Sequence, residues 1–219
     1  MKRVSAVDAI AAMEDGAVVM IGGFMGNGTP EILIDAILEK GIKNLTVIAN
    51  DSATPETGIG RLVKAGAVGK LIASHIGLNP LTGQYMNEGS MAVELVPQGT
   101  LAEQIRAAGA GLGGVLTPTG LSTEVQEGKT VITVDGREYL LEKPIKADFA
   151  LIRASVADES GNLYYKATTR NFNPLMATAA ETVIAAAEEI VPVGGIQAEH
   201  VVTPGIFVDY LVGGEGYVG

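Results

Sequence analysis

Gly22-Gly23-Phe24-Met25-Gly26-Asn27-Gly28 is the stretch of this chain best equipped to touch a ligand. It follows a short apolar run, Ala17 to Ile21, and leads into Thr29-Pro30-Glu31. Glycines let a backbone turn through conformations that other residues avoid. A glycine loop between a strand and a helix start can cradle phosphate or pyrophosphate with its N–H groups. The spacing is not G-x-G-x-x-G, however, and no Lys-Ser or Lys-Thr pair follows as a Walker loop requires. A tight turn at the end of a buried strand would account for the same glycines. Phe24 and Met25 add apolar contact surface, which a bare phosphate does not need and a larger cofactor does.

Three more polar side chains, Asn50, His75 and Gln98, each stand where an apolar run ends. The chain has no cysteine, which excludes thiolate nucleophiles, thiolate metal sites and disulfides. Its two histidines, His75 and His200, are far apart in sequence, and no H-x-x-x-H pair points to zinc, so no metal is expected.

The elements that must hold these residues alternate between strand and helix. Strands are expected at Ala17–Ile21, Leu45–Ala49, Leu71–Ser74, Val93–Val96, Phe149–Arg153 and Leu163–Lys166. Thr29 is expected to cap a helix with Pro30 in its first position and Gly41 at its stop. A short helical piece is expected at Arg61–Ala65, and Pro80 with Gly83 mark a turn-rich segment. Thr100 and Glu103 look like a capping box. The region Gly109 to Gly114 reads as a mobile loop. Thr130–Val134 and Arg137–Leu141, joined by Asp135-Gly136, read as a hairpin excursion. Asp158 to Asn162 is a turn, and Asn173-Pro174 starts a helix running to about Ala180. Val183 to Val191 is alanine-rich, yet its short length between turns favours a strand, and Ile206 to Val212 is a late strand. Such alternation implies βαβ units and an open, mostly parallel sheet with flanking helices, an α/β fold. Ligands of such sheets bind at the carboxyl ends of the strands, where Gly22–Gly28, Asn50, His75 and Gln98 fall.

At 219 residues the chain has enough material for one full core, with residues 1–212 as a single domain and 213–219 as a flexible glycine-rich tail. The N-terminal segment looks like an amphipathic helix, not a signal peptide, and no run approaches membrane-span length, so a cytoplasmic location is expected. A formal charge of −10 argues against nucleic acid or an acidic membrane as the main partner. It also means that an anionic ligand must be met by local dipoles, by Lys or Arg, or by a second chain.

Several motifs occur in the order found in a known family. GGFMGNGTPE at 22–31, SHIGLNP at 74–80, VPQGTLAEQIRAAGAGLGG at 96–114, LTPTG at 116–120 and Arg170-Asn171-Phe172-Asn173 resemble the α subunit of family I CoA-transferases. The resemblance runs from the first strand to about Val212 and points to the acetate–acetoacetate (butyrate–acetoacetate) and 3-oxoacid members. It implies a glycine-loop fold shared with some sugar-phosphate isomerases, and one active site built jointly by α and β subunits. It also implies an α2β2 heterotetramer, with CoA and acyl-CoA as substrates and no tightly bound cofactor.

The family nucleophile is a Glu of the β subunit in an E-x-G-hydrophobic-hydrophobic-G setting. It forms an acyl-glutamyl anhydride and then a glutamyl-CoA thioester. Here Glu14-Asp15-Gly16-Ala17-Val18-Val19 matches only the first half of that setting and lacks the final Gly, so Glu14 reads as a surface residue at a turn. By the same resemblance Gly22–Gly28 is the CoA-binding loop, Gln98 supports the oxyanion, and Asn50 lies near the acyl substrate. An amide beside Gly99 at a strand end suits an oxyanion donor on chemical grounds as well, the lesser alternative being that it only caps the following helix. His75 reads as a hydrogen-bonded structural residue, since this chemistry needs no general base. Arg170 and Asn171 could hold a substrate carboxylate or order their own loop by an ion pair. Two other functions remain open. A sugar-phosphate isomerase of the same fold would need an acid/base pair that the sequence does not present. A non-catalytic CoA-binding module would need only the loop.

Overall fold

The computed structural model describes residues 1–214. Its strands are β1 (Lys2–Arg3), β2 (Val18–Ile21), β3 (Leu45–Ile48), β4 (Val68–Ala73), β5 (Ala92–Leu95), β6 (Val115–Thr117), β7 (Thr130–Val134), β8 (Arg137–Glu142), β9 (Ala147–Asp158), β10 (Leu163–Tyr164), β11 (Ala180–Val191) and β12 (Tyr210–Gly213). The helices are α1 (Ala6–Ala9), α2 (Glu31–Lys40), α3 (Ile59–Lys64), α4 (Pro80–Glu88), α5 (Gln98–Gly109) and α6 (Asn173–Met176).

One nine-stranded sheet runs in the order β1-β12-β11-β9-β2-β3-β4-β5 with β10 paired to β9. Along that order every pairing is parallel, and only β10 is antiparallel. Alternation along the central strands divides the core between the two faces. Val19, Ile21, Leu151, Ile184 and Ala186 point into one cluster with Leu33, Ile37 and Leu62. Met20, Ala150, Ile152, Val183 and Ala185 point into the other with Leu101, Ile105 and Met176. A sheet apolar on both faces must be covered on both, and the helices do this: α1, α2 and α3 on the first face, α5 and α6 on the second. β6, β8 and β7 form a separate three-stranded antiparallel sheet beside this body. In its hairpin Asp135 and Gly136 have φ of +50° and +76°, as a two-residue type I′ connection needs.

Several local expectations are corrected. Pro30, not Thr29, is the N-cap of α2, and no side chain caps it. Likewise Pro97 precedes α5, and Thr100 lies inside its first turn with a buried hydroxyl that has no partner. Glu103 therefore closes no capping box and pairs with Arg106 instead. The segment at Pro80 is the helix α4, started by the Asn79 side chain accepting Leu81 N–H at 3.1 Å. Gly109 is the last residue of α5, and residues 110–114 connect it to β6; a Cβ on Gly109 would strike Thr178, and one on Gly114 the Glu142 carbonyl. β9 and β11 are each twelve residues long, so α6 stops at Met176 and Ala180 already belongs to a strand. Ile206 sits in a 3-10 turn ahead of β12. Of the expected tail, Gly213 closes β12 and Gly214 N–H donates to Ala187 O at 3.2 Å, while 215–219 lie outside the described residues.

The turn from β9 to β10 is organised by one buried carboxylate. Asp158 Oδ1 accepts Ser160 N–H, Ser160 O–H and Asn162 N–H, and Oδ2 accepts the Asn162 amide. Burial works against its charged form, but the hydrogen bonds from Ser160 and Asn162 outweigh burial and hold the carboxyl below its usual range. A carboxyl held low stabilises the fold above its unfolded pKa, and that contribution disappears as pH falls through the folded value. Asp158→Ala should thus cost about 2 kcal/mol in urea denaturation at neutral pH. The gap between variant and parent should shrink once pH drops below about 4.

Candidate active site

From β2 the chain moves outward to β3 on one side, whereas from β9 it moves to β11 on the other. The neighbours β2 and β9 thus form a topological switch point, with a crevice at their carboxyl ends. The glycine loop occupies that position. Phe24 N–H donates to Asn27 O and Asn27 N–H to Phe24 O, both at 2.9 Å. Between them Met25 and Gly26 have φ of +53° and +83°. A side chain in this left-handed region is strained and needs outside support. The buried Asp51 supplies it, accepting Met25 N–H at 2.8 Å with one oxygen and Ala53 N–H at 2.7 Å with the other. The Phe24 and Met25 side chains are left 44% and 53% exposed.

Residues 168–173 brace the loop from behind. Asn171 accepts Gly23 N–H at 3.1 Å and donates to Asn27 O at 3.1 Å. Asn173 donates to Gly28 O at 3.1 Å and to Thr169 O at 2.7 Å, and accepts Arg153 N–H at 3.0 Å. The Asn27 amide donates to the Thr168 hydroxyl. Asparagines, not an Arg170 ion pair, order this segment; Arg170 forms no ion pair among the described residues. The expected loop ordering is present at Asn171, but the bracing of the glycine loop by both asparagines has no local signal in sequence, because the partners lie 144 to 148 positions apart.

The loop is not an open nest of amides. Gly22 N–H donates to Leu151 O, Gly23 to Asn171, Phe24 to Asn27, Met25 to Asp51, and Thr29 to Gly26 O. The N–H groups of Gly26 and Gly28 form no hydrogen bond among the described residues, and the Phe24 and Met25 side chains face outward at the tip.

Beyond β3, β4 and β5 stands a second constellation. Gln98, the first residue of α5, donates from Nε2 to Asn50 Oδ1 at 2.7 Å, and its Oε1 accepts the Ser74 hydroxyl. Ser74 Oγ is also 2.7 Å from Asn50 O, which accepts Ser74 N–H at 3.0 Å. Asn50 is buried and Gln98 exposed. An amide nitrogen carries two hydrogens, so Gln98 keeps one donor beyond the bond to Asn50. The two amides expected from the sequence are thus brought into contact. Ser74 is the member given no role from sequence, although it closes an expected strand and opens the SHIGLNP motif. His75 is corrected: the imidazole makes no hydrogen bond among the described residues, and only its backbone bridges to Asp51. Glu14 is exposed in a turn before β2, at the opposite end of that strand from the loop.

A protein-family model described as Coenzyme A transferase matches residues 3–214. The chain belongs to the coenzyme A transferase family. It is 54% identical over 211 residues to an acetate CoA-transferase subunit alpha of Escherichia coli (strain K12), covering 96% of each chain. It is also 54% identical, with 91% of each chain covered, to an acetoacetyl-CoA:acetate/butyrate CoA transferase alpha subunit of Clostridium acetobutylicum. Among solved structures, an acyl-CoA transferase apoenzyme from Escherichia coli O157:H7 superposes with a TM-score of 0.84 at 25% identity over 96% of this chain. This transferase chain spans 46% of that protein's length.

The bracing makes a sharp demand on Gly22, where a Cβ would overlap the Asn173 side-chain oxygen. Gly22→Ala should cost about 2–4 kcal/mol, combining overpacking with loosened Asn173 hydrogen bonds. Urea denaturation measures the cost, and faster proteolytic cleavage between residues 22 and 28 would mark the loosened loop.

Proposed function

We propose that this chain is the α half of a two-component CoA-transferase, acting with a β subunit in an α2β2 heterotetramer in the cytoplasm. Among the described residues no helix is long and apolar enough to cross a membrane. The reaction moves coenzyme A between a short-chain acyl-CoA (acetoacetyl-, acetyl- or butyryl-CoA) and a carboxylate such as acetate or acetoacetate. The observation that carries the reading is the Gln98 amide, fixed by Asn50 and Ser74 with a donor left over.

In the first step the partner's glutamate attacks the thioester carbonyl, the C–S bond breaks, and CoA leaves as thiolate from an acyl-glutamyl anhydride. The thiolate then attacks the glutamyl carbonyl and releases the free carboxylate, leaving glutamyl-CoA. Each attack places negative charge on a carbonyl oxygen. The remaining Nε2–H of Gln98 donates to that oxygen, and because Ser74 and Asn50 already fix the amide, little reorganisation accompanies the step. Gly22, Gly23, Phe24, Met25, Gly26, Asn27 and Gly28 receive CoA, with the Phe24 and Met25 side chains covering its apolar parts. Asn50 faces the acyl substrate from beneath Gln98. CoA is a substrate here and no cofactor is retained.

Acetoacetyl-CoA:acetate transfer should be absent from the lone chain and appear when the β subunit is added; transfer by the lone chain would overturn the half-site reading. In the complex, Gln98→Ala should lower kcat by roughly 10²–10³ with a smaller change in KM. Ser74→Ala should lower kcat about 5- to 10-fold, and should add nothing to Gln98→Ala, since it acts through that residue.

A further inference from the structure

Beside β5 and α4 opens a cavity of about 410 Å³. Ser74, which holds Gln98, and Pro97, which precedes it, belong to its wall. The remainder is apolar, built by Val93 and Leu95 of β5, Met86 of α4, and Val125 from the 3-10 turn between β6 and β7. One charged side chain lines it, Glu124, on that same turn. The turn is fixed at both ends: the Thr123 hydroxyl accepts Val125 N–H at 3.2 Å, and Gln126 Oε1 accepts Ser122 N–H at 2.7 Å. Glu124 itself forms no ion pair among the described residues.

We propose that this cavity receives the acyl chain and that Glu124 restricts it to monocarboxylic acyl groups by excluding a second carboxylate. The proposal rests on the reading of Gln98 as the donor to the reacting carbonyl, which sets where the acyl chain starts. Its size falls within the range of small-molecule pockets, about 300–1,000 Å³. The apolar walls favour methylene groups, each worth about 4-fold in binding. A dicarboxylic chain meets the opposite conditions. Its distal carboxylate needs a cation or several N–H donors, and this wall offers neither. It offers a like charge instead, which acts against the wrong substrate without contributing to the right one.

The test uses the assembled enzyme, acetoacetyl-CoA as donor, and acetate, butyrate and succinate as acceptors. Glu124→Gln should raise the succinate-to-acetate ratio of kcat/KM by about 5- to 20-fold, and Glu124→Arg should raise it further. Met86→Trp, which fills the cavity from its exposed helix, should lower the butyrate-to-acetate ratio by about 10-fold. Gel filtration checks that each variant assembles; Glu124→Gln keeps the volume of the parent side chain and preserves the test if the tryptophan does not. An unchanged succinate-to-acetate ratio in both Glu124 variants overturns the proposal. If Gln98→Ala is crippled in the same preparation, that failure belongs to the cavity alone; if Gln98→Ala is fully active, the reading of the amide falls first.

Discussion

The side chain of Asn173 has no exposed surface and leaves no polar atom idle. It donates to Gly28 O and Thr169 O and accepts the N–H of Arg153. A buried amide lacking such partners would cost about 1–3 kcal/mol, so the arrangement holds only while all three stretches stay in register. The glycine loop, the 167–170 turn and the long strand β9 are thereby fixed to one another. Gly22 permits it, since any side chain there would occupy the space of the amide. The loop's left-handed turn at Met25, its support by Asp51 and the exposed pair at its tip all depend on that anchorage.

The Gln98 constellation uses the same device with a different result. Here amides and a hydroxyl bind one another at the ends of adjacent strands, and one member reaches solvent. Neutral donors can meet a developing oxyanion without a cation, which suits a chain whose formal charge is −10. A carboxylate nucleophile from a second chain can then approach a surface held by dipoles. Glu14, whose setting begins like the family's nucleophile motif, lies at the far end of β2.

Much of this was readable in advance, and the failures share a cause. Apolar runs such as Val18–Ile21 and Leu45–Ile48 can only be buried strands, and the Asp135-Gly136 turn is a local signal that needs nothing else. Thr29 and Thr100 misled because capping depends on backbone geometry, and prolines took both cap positions. The helix at Pro80 was missed because Gly83 and a weak apolar pattern masked a good Asn79 cap. The alanines of β11 favour helix locally, but between β9 and β12 they are small residues packed inside a sheet. Asn50 and Gln98 were legible as site residues from strand ends and motif resemblance. Ser74 was not, because its importance lies in a hydrogen bond to a residue 24 positions away.

The order of the strands also constrains how the molecule can form. β2 is synthesised early yet lies between β3 and β9, and its loop is tied down by residues 141 to 148 positions further along. Contacts of such separation carry a large loop-closure cost and form late in folding. An emerging chain can build β2, β3, β4 and their helices from neighbouring sequence while the glycine loop still lacks its supports. The glycine loop is therefore among the last parts to acquire its shape, and incomplete chains ending before Asn171 cannot brace it.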